Sequence, residues 1–178
     1  MTNNAVRLLD CNEGEHAAAI LAILNEAIVN STALYDYVPR PPEAMAAWFA
    51  TKRANGFPVV GAVDPSGRLL GFASWGTFRA FPAYKYTVEH SVYVHHAHRG
   101  QGLGKTLIAE LIRRARAADL HALVGCIDAS NAGSIALHQR LGFTHSGTLE
   151  QVGFKFGRWL DAAFYQLLLA TPARPVDG

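Results

Sequence analysis

The stretch HHAHRGQGLGKTL, residues 95–107, sets Gly100, Gly102 and Gly104 among Arg99, Lys105 and Thr106, directly ahead of a run with helical apolar spacing. Glycine lets a backbone approach an anion without a side chain in the way, and a helix N-terminus presents N–H donors and the positive end of a dipole. A cradle for phosphate is therefore expected, and spacing decides which kind. A nucleotide triphosphatase loop needs a glycine five positions before Gly104, where Arg99 stands; starting from Gly100 leaves the loop one residue short. A dinucleotide fingerprint begun at Gly100 puts Lys105 where its third glycine belongs, and begun at Gly102 it puts Leu107 there. The pattern that is met is Arg99-x-x-Gly102-x-Gly104.

Outward from this junction, strand and helix patterns alternate. Ahead of it, TVEHSVYV (87–94) is a strand pattern with Val88, His90, Val92 and Val94 on one face and Glu89, Ser91 and Tyr93 on the other. Behind it, Leu103, Leu107, Ile108, Leu111, Ile112 and Ala115 form one inward helical stripe. HALVGCID (121–128) predicts a strand, and NAGSIALHQRL (131–141) predicts a helix ended by Gly142. FTHSGTL (143–149) and AFYQLLLA (163–170) read as two more strands, joined through EQVGFKFGRWLD (150–161).

Toward the N-terminus, AVRLL (5–9) predicts a strand. EGEHAAAILAILNEAIVN (13–30) predicts a helix, with acids in its first turn and Ile20, Leu24, Ala27 and Ile28 on one face. Pro41 and Pro42 suit the start of a second helix that buries Met45, Trp48 and Phe49 and stops at Gly56. FPVVGAV (57–63) and LLGFASWGTF (69–78) form a hairpin across DPSGR, and RAFPAYKY (79–86) is an aromatic-rich loop. The whole, 1–178, is expected to be one mixed α/β (α+β) domain with a disordered tail from about residue 171.

Half of the 178 residues are hydrophobic and 17% are charged, against about 25% in an ordinary soluble domain. That shortage of charge fits either a large core or a buried subunit interface. A net charge of +2, with no basic run, argues against nucleic acid as a partner. Cys11 and Cys126 carry no metal-ligand spacing, so no metal is expected, and two cysteines make no disulfide framework. The first residues lack the apolar core of a signal peptide, and no apolar run approaches the ~18 residues of a membrane span. No membrane partner and a cytoplasmic location are the expectation.

A second pattern lies downstream. NAGSIALHQRLGF (131–143) carries Asn131, Ser134 three residues on, and a closing Gly142-Phe143, with Asn131, Ser134, Ile135 and His138 on one helix face. With Arg99-x-x-Gly102-x-Gly104 ahead of it, the chain resembles the GNAT acetyltransferase superfamily. The resemblance implies the GNAT fold, a mixed central sheet of about seven strands with four main helices. It also implies acetyl-coenzyme A as co-substrate. The diphosphate would sit on Arg99, Gly100, Gln101, Gly102, Leu103, Gly104 and Lys105, beside the main chain of Val92, Tyr93 and Val94. Asn131 and Ser134 would hold the pantetheine and phosphate arm, although Asn131 is equally a good helix N-cap. Family members often carry a tyrosine general acid seven residues after this asparagine, where this chain has His138. Three readings stay open there: a proton donor, a thiolate that leaves unassisted because a thiol has a pKa of about 8.5, or a plain helix histidine.

An amine attacks a thioester only as the free base, so a general base is needed. Glu89, in the strand that feeds the glycine stretch, is the candidate; a structural ion pair with Arg79 or Lys85 is the alternative. YTVEHSVYVHHAHRGQGLG (86–104) together with QVGFKFGRWLD (151–161) is similar to the phosphinothricin and methionine sulfoximine or sulfone N-acetyltransferase branch. That likeness implies a homodimer acting by direct attack on the α-amine of a small amino-acid analogue. Such an acceptor also carries a carboxylate, for which Arg79 and Lys85 are the candidate cations, with Phe81 and its aromatic neighbours as walls and Lys155 nearby. Asn30, Thr32 and Tyr35 are weaker candidates for the far wall. Cys126 is expected to be a buried strand residue. A peptide or protein N-terminal acetyltransferase and a non-catalytic acyl-coenzyme A module are the competing functions.

Overall fold

A computed structural model describes residues 6–177. Ala5 of the expected opening strand and Gly178 of the tail lie outside the described residues. Among the described residues, seven strands form a single mixed sheet in the order β1-β2-β3-β4-β5-β7-β6, accompanied by four α-helices. The expected α/β architecture of about seven strands and four main helices is the one adopted. The chain divides into two compact units, one reaching to Ser74 and including Val92–Glu110, the other comprising Trp75–Ser91 and the chain from Leu111 onward.

The first unit opens with β1 (Arg7–Asp10) and α1 (Glu13–Asn30). The start of α1 is set by Asn12, whose Oδ1 accepts the Glu15 N–H at 2.9 Å. At its end the Ser31 hydroxyl donates to the Ala27 carbonyl at 2.7 Å. Ile20, Ile23 and Leu24 of α1 form a core with Met45 and Phe49 of α2 (Ala44–Ala54) and Val59, Val63, Leu69 and Phe72 of the following hairpin. Trp48, expected inward with Met45 and Phe49, lies at the rim and meets the Phe49 and Phe72 rings edge-on, at 4.9 and 6.2 Å. In that hairpin, β2 (Val59–Val63) pairs antiparallel with both β1 and β3 (Leu69–Thr77) and is buried throughout.

β4 (Thr87–Val94) leads into the glycine stretch, and α3 (Leu103–Ala117) follows it. All six residues of the expected α3 stripe, from Leu103 to Ala115, are buried.

In the second unit, β5 (Ala122–Asp128) runs parallel to β4, but their ladder covers only Thr87–Glu89 against 122–124. On its other edge β5 pairs with β7 (Arg158–Leu168) along its full length. α4 (Ala132–Arg140) begins at Asn131, whose Oδ1 accepts the Ser134 N–H at 3.0 Å. Gly125 of β5 faces two rings: a Cβ there would lie 3.0 Å from His90 and 3.1 Å from His138. Gly125→Ala should overpack this spot and cost about 1–3 kcal/mol, read as a lowered urea midpoint with unchanged m-value.

The last hairpin departs from expectation. Residues 150–161 are no connection; they are the facing halves of β6 (Thr144–Lys155) and β7, which turn at Phe156 and Gly157 with φ of 51° and 72°. Two successive positive φ values make the tight hairpin turn whose twist suits its strands, with Phe156 where asparagine is the usual signal. A register shift between Leu149 and Gly153 interrupts the alternation; there Gln151 adopts φ 53° and donates its N–H to Asp161 Oδ1 at 2.8 Å. That bulge hides the strand from a period-two reading. In the tail, Val176 exchanges main-chain hydrogen bonds with the Tyr86 hydroxyl, and the Thr171 carbonyl meets His121 Nδ1 at 2.9 Å. No helix among the described residues is long and apolar enough to cross a membrane.

Candidate active site

The glycine stretch forms the strand-to-helix junction its spacing predicts. After β4, a short 3₁₀ turn at His96–His98 leads to Gly100 and Gly102, with φ of 76° and 81°. A Cβ at either would meet nothing within 4 Å, so glycine is required by backbone conformation and the main chain stands open. The first helical hydrogen bond closes from Thr106 N–H to the Gly102 carbonyl at 3.1 Å. The N–H groups ahead of it in the first turn lack intrahelical acceptors by helix geometry, which leaves them for an anion. Gln101, Gly102 and Lys105 are exposed, whereas Leu103 is buried as the helix anchor. Tyr93 turns toward the core of the first unit, its ring 5.5 Å from that of Phe72. Arg99 is engaged: its Nη2 lies 2.6 Å from Glu26 of α1, and its Nε donates to the Val94 carbonyl at 3.2 Å.

In the second unit, Glu89 sits in mid-strand on β4, half-buried, beside the point where the ladder to β5 stops. Burial pushes its carboxyl above the ordinary range, and the nearby Arg79 guanidinium opposes that rise. Arg79 donates to the Phe78 carbonyl at 2.7 Å and lies over the Phe78 ring at 4.4 Å. Phe78 meets Tyr84 edge-on at 5.5 Å, Lys85 Nζ lies 5.1 Å from the Tyr86 ring, and Phe81 is 73% exposed. Lys155 ends β6, opposite Arg158 of β7; its side chain is buried, with Nζ 5.0 Å from the Phe156 ring. The Arg158 guanidinium stands 3.9 Å from the Asp128 carboxylate.

Cys126, expected to be buried, is exposed in the middle of β5. Its surroundings still desolvate it enough to raise the thiol, and the Glu89 charge raises it further. Glu89, Arg79 and Cys126 therefore share one electrostatic neighbourhood. A raised thiol is a poor nucleophile, which suits direct transfer.

His138 is buried on α4 and fully engaged. Its Nδ1 lies 2.8 Å from the Ser134 carbonyl, an acceptor, so Nδ1 carries the proton. Its Nε2 is then the acceptor in the 2.9 Å contact with His90 Nε2, which leaves the lone pair of His90 Nδ1 buried without a partner. Burial holds His138 below the usual histidine range, and burial together with His138 pushes His90 down to about 3, with the Val124 backbone opposing. Both rings are neutral. The sequence placed His90 in the core but gave no sign of its partner, 48 residues away.

The Acetyltransferase (GNAT) family model matches residues 24–143. An L-methionine sulfoximine/L-methionine sulfone acetyltransferase of Pseudomonas aeruginosa is 51% identical over 150 residues, covering 84% of this chain and 87% of that protein. A solved structure from Acinetobacter baylyi superimposes with a TM-score of 0.98 at 65% identity, covering 100% of this chain and 99% of that one. A GNAT superfamily phosphinothricin acetyltransferase from Sinorhizobium meliloti, solved in complex with acetyl-CoA, gives a TM-score of 0.91 at 37% identity over 97% and 94% of the two chains. This chain belongs to the GNAT family of acetyltransferases. It is an acyltransferase, and its mixed sheet with four helices is the GNAT fold.

Proposed function

We propose that this enzyme transfers the acetyl group of acetyl-CoA to the α-amine of a small amino-acid analogue of the methionine sulfoximine, methionine sulfone or phosphinothricin type. The relatives' activities support the substrate class. The observation that carries the chemistry is Glu89, a desolvated carboxylate in mid-strand with a guanidinium in its field.

The open main chain at Gly100, Gly102 and the start of α3, with Lys105, suits the diphosphate of the donor. The main chain of Val92–Val94 and the side chains of Asn131 and Ser134 are assigned to the rest of its arm. Asn131 Oδ1 is occupied as the α4 cap, which leaves its amide N–H₂ for a ligand. Glu89, directly or through a water, takes a proton from the acceptor's ammonium group. The amine nitrogen bonds to the thioester carbon, and main-chain N–H groups near Val94 stabilise the oxyanion. As the carbon–sulfur bond breaks, the nitrogen gives its second proton to solvent, leaving the neutral amide. His138 has its proton committed to the Ser134 carbonyl, so the sulfur departs as thiolate, helped by a thiol pKa of about 8.5. Arg79 and Lys85 receive the acceptor's carboxylate, Phe81 and Tyr84 limit access of water, and Lys155 lies toward the side chain of the acceptor.

A homodimer is part of this reading, supported by the exposed apolar row Leu149, Val152, Phe154, Phe156 and Trp159 on the terminal hairpin. So is a cytoplasmic location, where acetyl-CoA and reduced cysteines coexist.

Thiol release from acetyl-CoA, measured against methionine sulfoximine, methionine sulfone, phosphinothricin, ordinary amino acids and short peptides, tests the assignment. Turnover is expected with the analogues, at least tenfold above peptides by kcat/KM, roughly what one lost carboxylate clamp is worth. Faster turnover with peptide N-termini would replace the reading.

A further inference from the structure

Arg99 opens the signature assigned to the donor, yet its guanidinium is engaged by α1 and β4. Nη2 lies 2.6 Å from the Glu26 carboxylate and Nε donates to the Val94 carbonyl at 3.2 Å. Glu26 is set into the first unit, with its side chain 21% exposed, and reaches Arg99 across 73 residues of sequence. A planar fork with one prong on α1 and another on the last residue of β4 fixes the position of the backbone between them. The neighbouring turn is tied down as well: Arg68 Nη2 meets His98 Nε2 at 2.5 Å, and the His98 N–H donates to the His95 carbonyl at 2.8 Å. Arginine can only donate, so His98 Nε2 is the acceptor in this contact.

We infer that Glu26 is a positioning residue for donor binding: through Arg99 it braces the glycine junction so that its main-chain N–H groups are already aimed at the diphosphate. Arg99 then acts as a strut, and the attractive charge comes from the helix N-terminus and Lys105. An isolated surface ion pair contributes little, but this one is short, charge-assisted and doubled by a main-chain bond, and its consequence is preorganisation of a loop with two positive-φ glycines. The inference rests on the proposed assignment of the junction to acetyl-CoA and goes beyond it by giving an α1 carboxylate a part in donor affinity.

The test compares Glu26→Ala, Glu26→Gln, Arg99→Ala and the double variant Glu26→Ala/Arg99→Ala, with two donors. Acetyl-CoA carries the diphosphate, and S-acetylpantetheine lacks it. Glu26→Ala should raise the KM for acetyl-CoA and the Kd of coenzyme A by about tenfold, the scale of one lost charge-assisted bond, with kcat at saturation within about twofold. Its kcat/KM with S-acetylpantetheine should stay within about twofold of the parent, which a general loss of fold would not allow. Glu26→Gln, which keeps an acceptor oxygen, should fall between. The double variant should bind coenzyme A no more weakly than either single variant, because both changes cut one strut. Unchanged or tighter coenzyme A binding in Glu26→Ala, equal losses with both donors, or additive losses in the double variant would overturn the brace. Gly102→Ala separates this failure from failure of the site assignment. If it leaves acetyl-CoA affinity unchanged, the junction is not the donor site; if it weakens affinity while Glu26→Ala does not, only the brace is wrong.

Discussion

Glu89→Gln should lower kcat/KM for the acceptor amine by about 10²–10⁴-fold and remove the acid limb of the pH–rate profile. The carboxyl is raised by burial, with Arg79 opposing, so it ionises above the ordinary carboxylate range near 4.3. A base works only when ionised; wild-type activity should therefore climb with pH through that raised value. Glutamine has nearly the same shape and accepts no proton, so its residual activity should track only the ionisation of the substrate amine. Stability should move the other way. Burial disfavours the charged form of Glu89, so at pH values above its folded pKa the wild type carries a desolvation cost that glutamine lacks. The thermal midpoint of Glu89→Gln should match or exceed that of the parent. A small change in rate with an identical acid limb would remove Glu89 from the chemistry.

The second large effect concerns acid stability. His90 ionises near 3 when folded, against about 6.5 for a free histidine. Between those values the unfolded chain binds more protons than the folded one, so stability rises with pH across the window. The contribution is complete above about pH 6.5 and is lost progressively toward pH 3. His138, lowered in the same direction, adds to the slope. At about 1.4 kcal/mol per pKa unit, the pair accounts for a loss on the order of several kcal/mol, a large share of ordinary domain stability. Over pH 6.5 to 5 ordinary carboxylates are largely ionised, and Glu89, raised by burial, is present in both proteins and cancels in the comparison. Urea unfolding at half-unit steps there should show a steep decline for the parent and a much flatter one for His90→Phe/His138→Leu. Equal slopes in the two proteins would show that the buried pair does not govern acid lability.

Much of the fold was legible because it is written in local periodicity. The six-residue stripe of α3 is buried as its spacing requires, and α1 occupies Glu13–Asn30, where acids in the first turn and helical apolar spacing announce it. The hairpin of β2 and β3 follows from Asp64, Ser66 and Gly67 between two apolar runs. The terminal hairpin was not legible, since a bulge at Gln151 and a phenylalanine in a positive-φ turn break the patterns that normally signal strand and turn. Cys126 misled for a related reason: alternation within β5 predicts which face a residue takes, but whether that face is covered depends on what the ladder from β4 does beyond Glu89.

The amino-acid sequence by itself determined the glycine-rich strand-to-helix junction, the alternation that brings Glu89 into the strand feeding it, and the family, because each depends on spacing within a few residues. Only the tertiary structure decided the partners: Glu26 for Arg99, His90 for His138, and an exposed thiol beside Glu89. Those pairings join residues tens of positions apart, and no local pattern encodes them. They arise where strand order and helix placement bring charges together, and there desolvation sets which groups keep their protons.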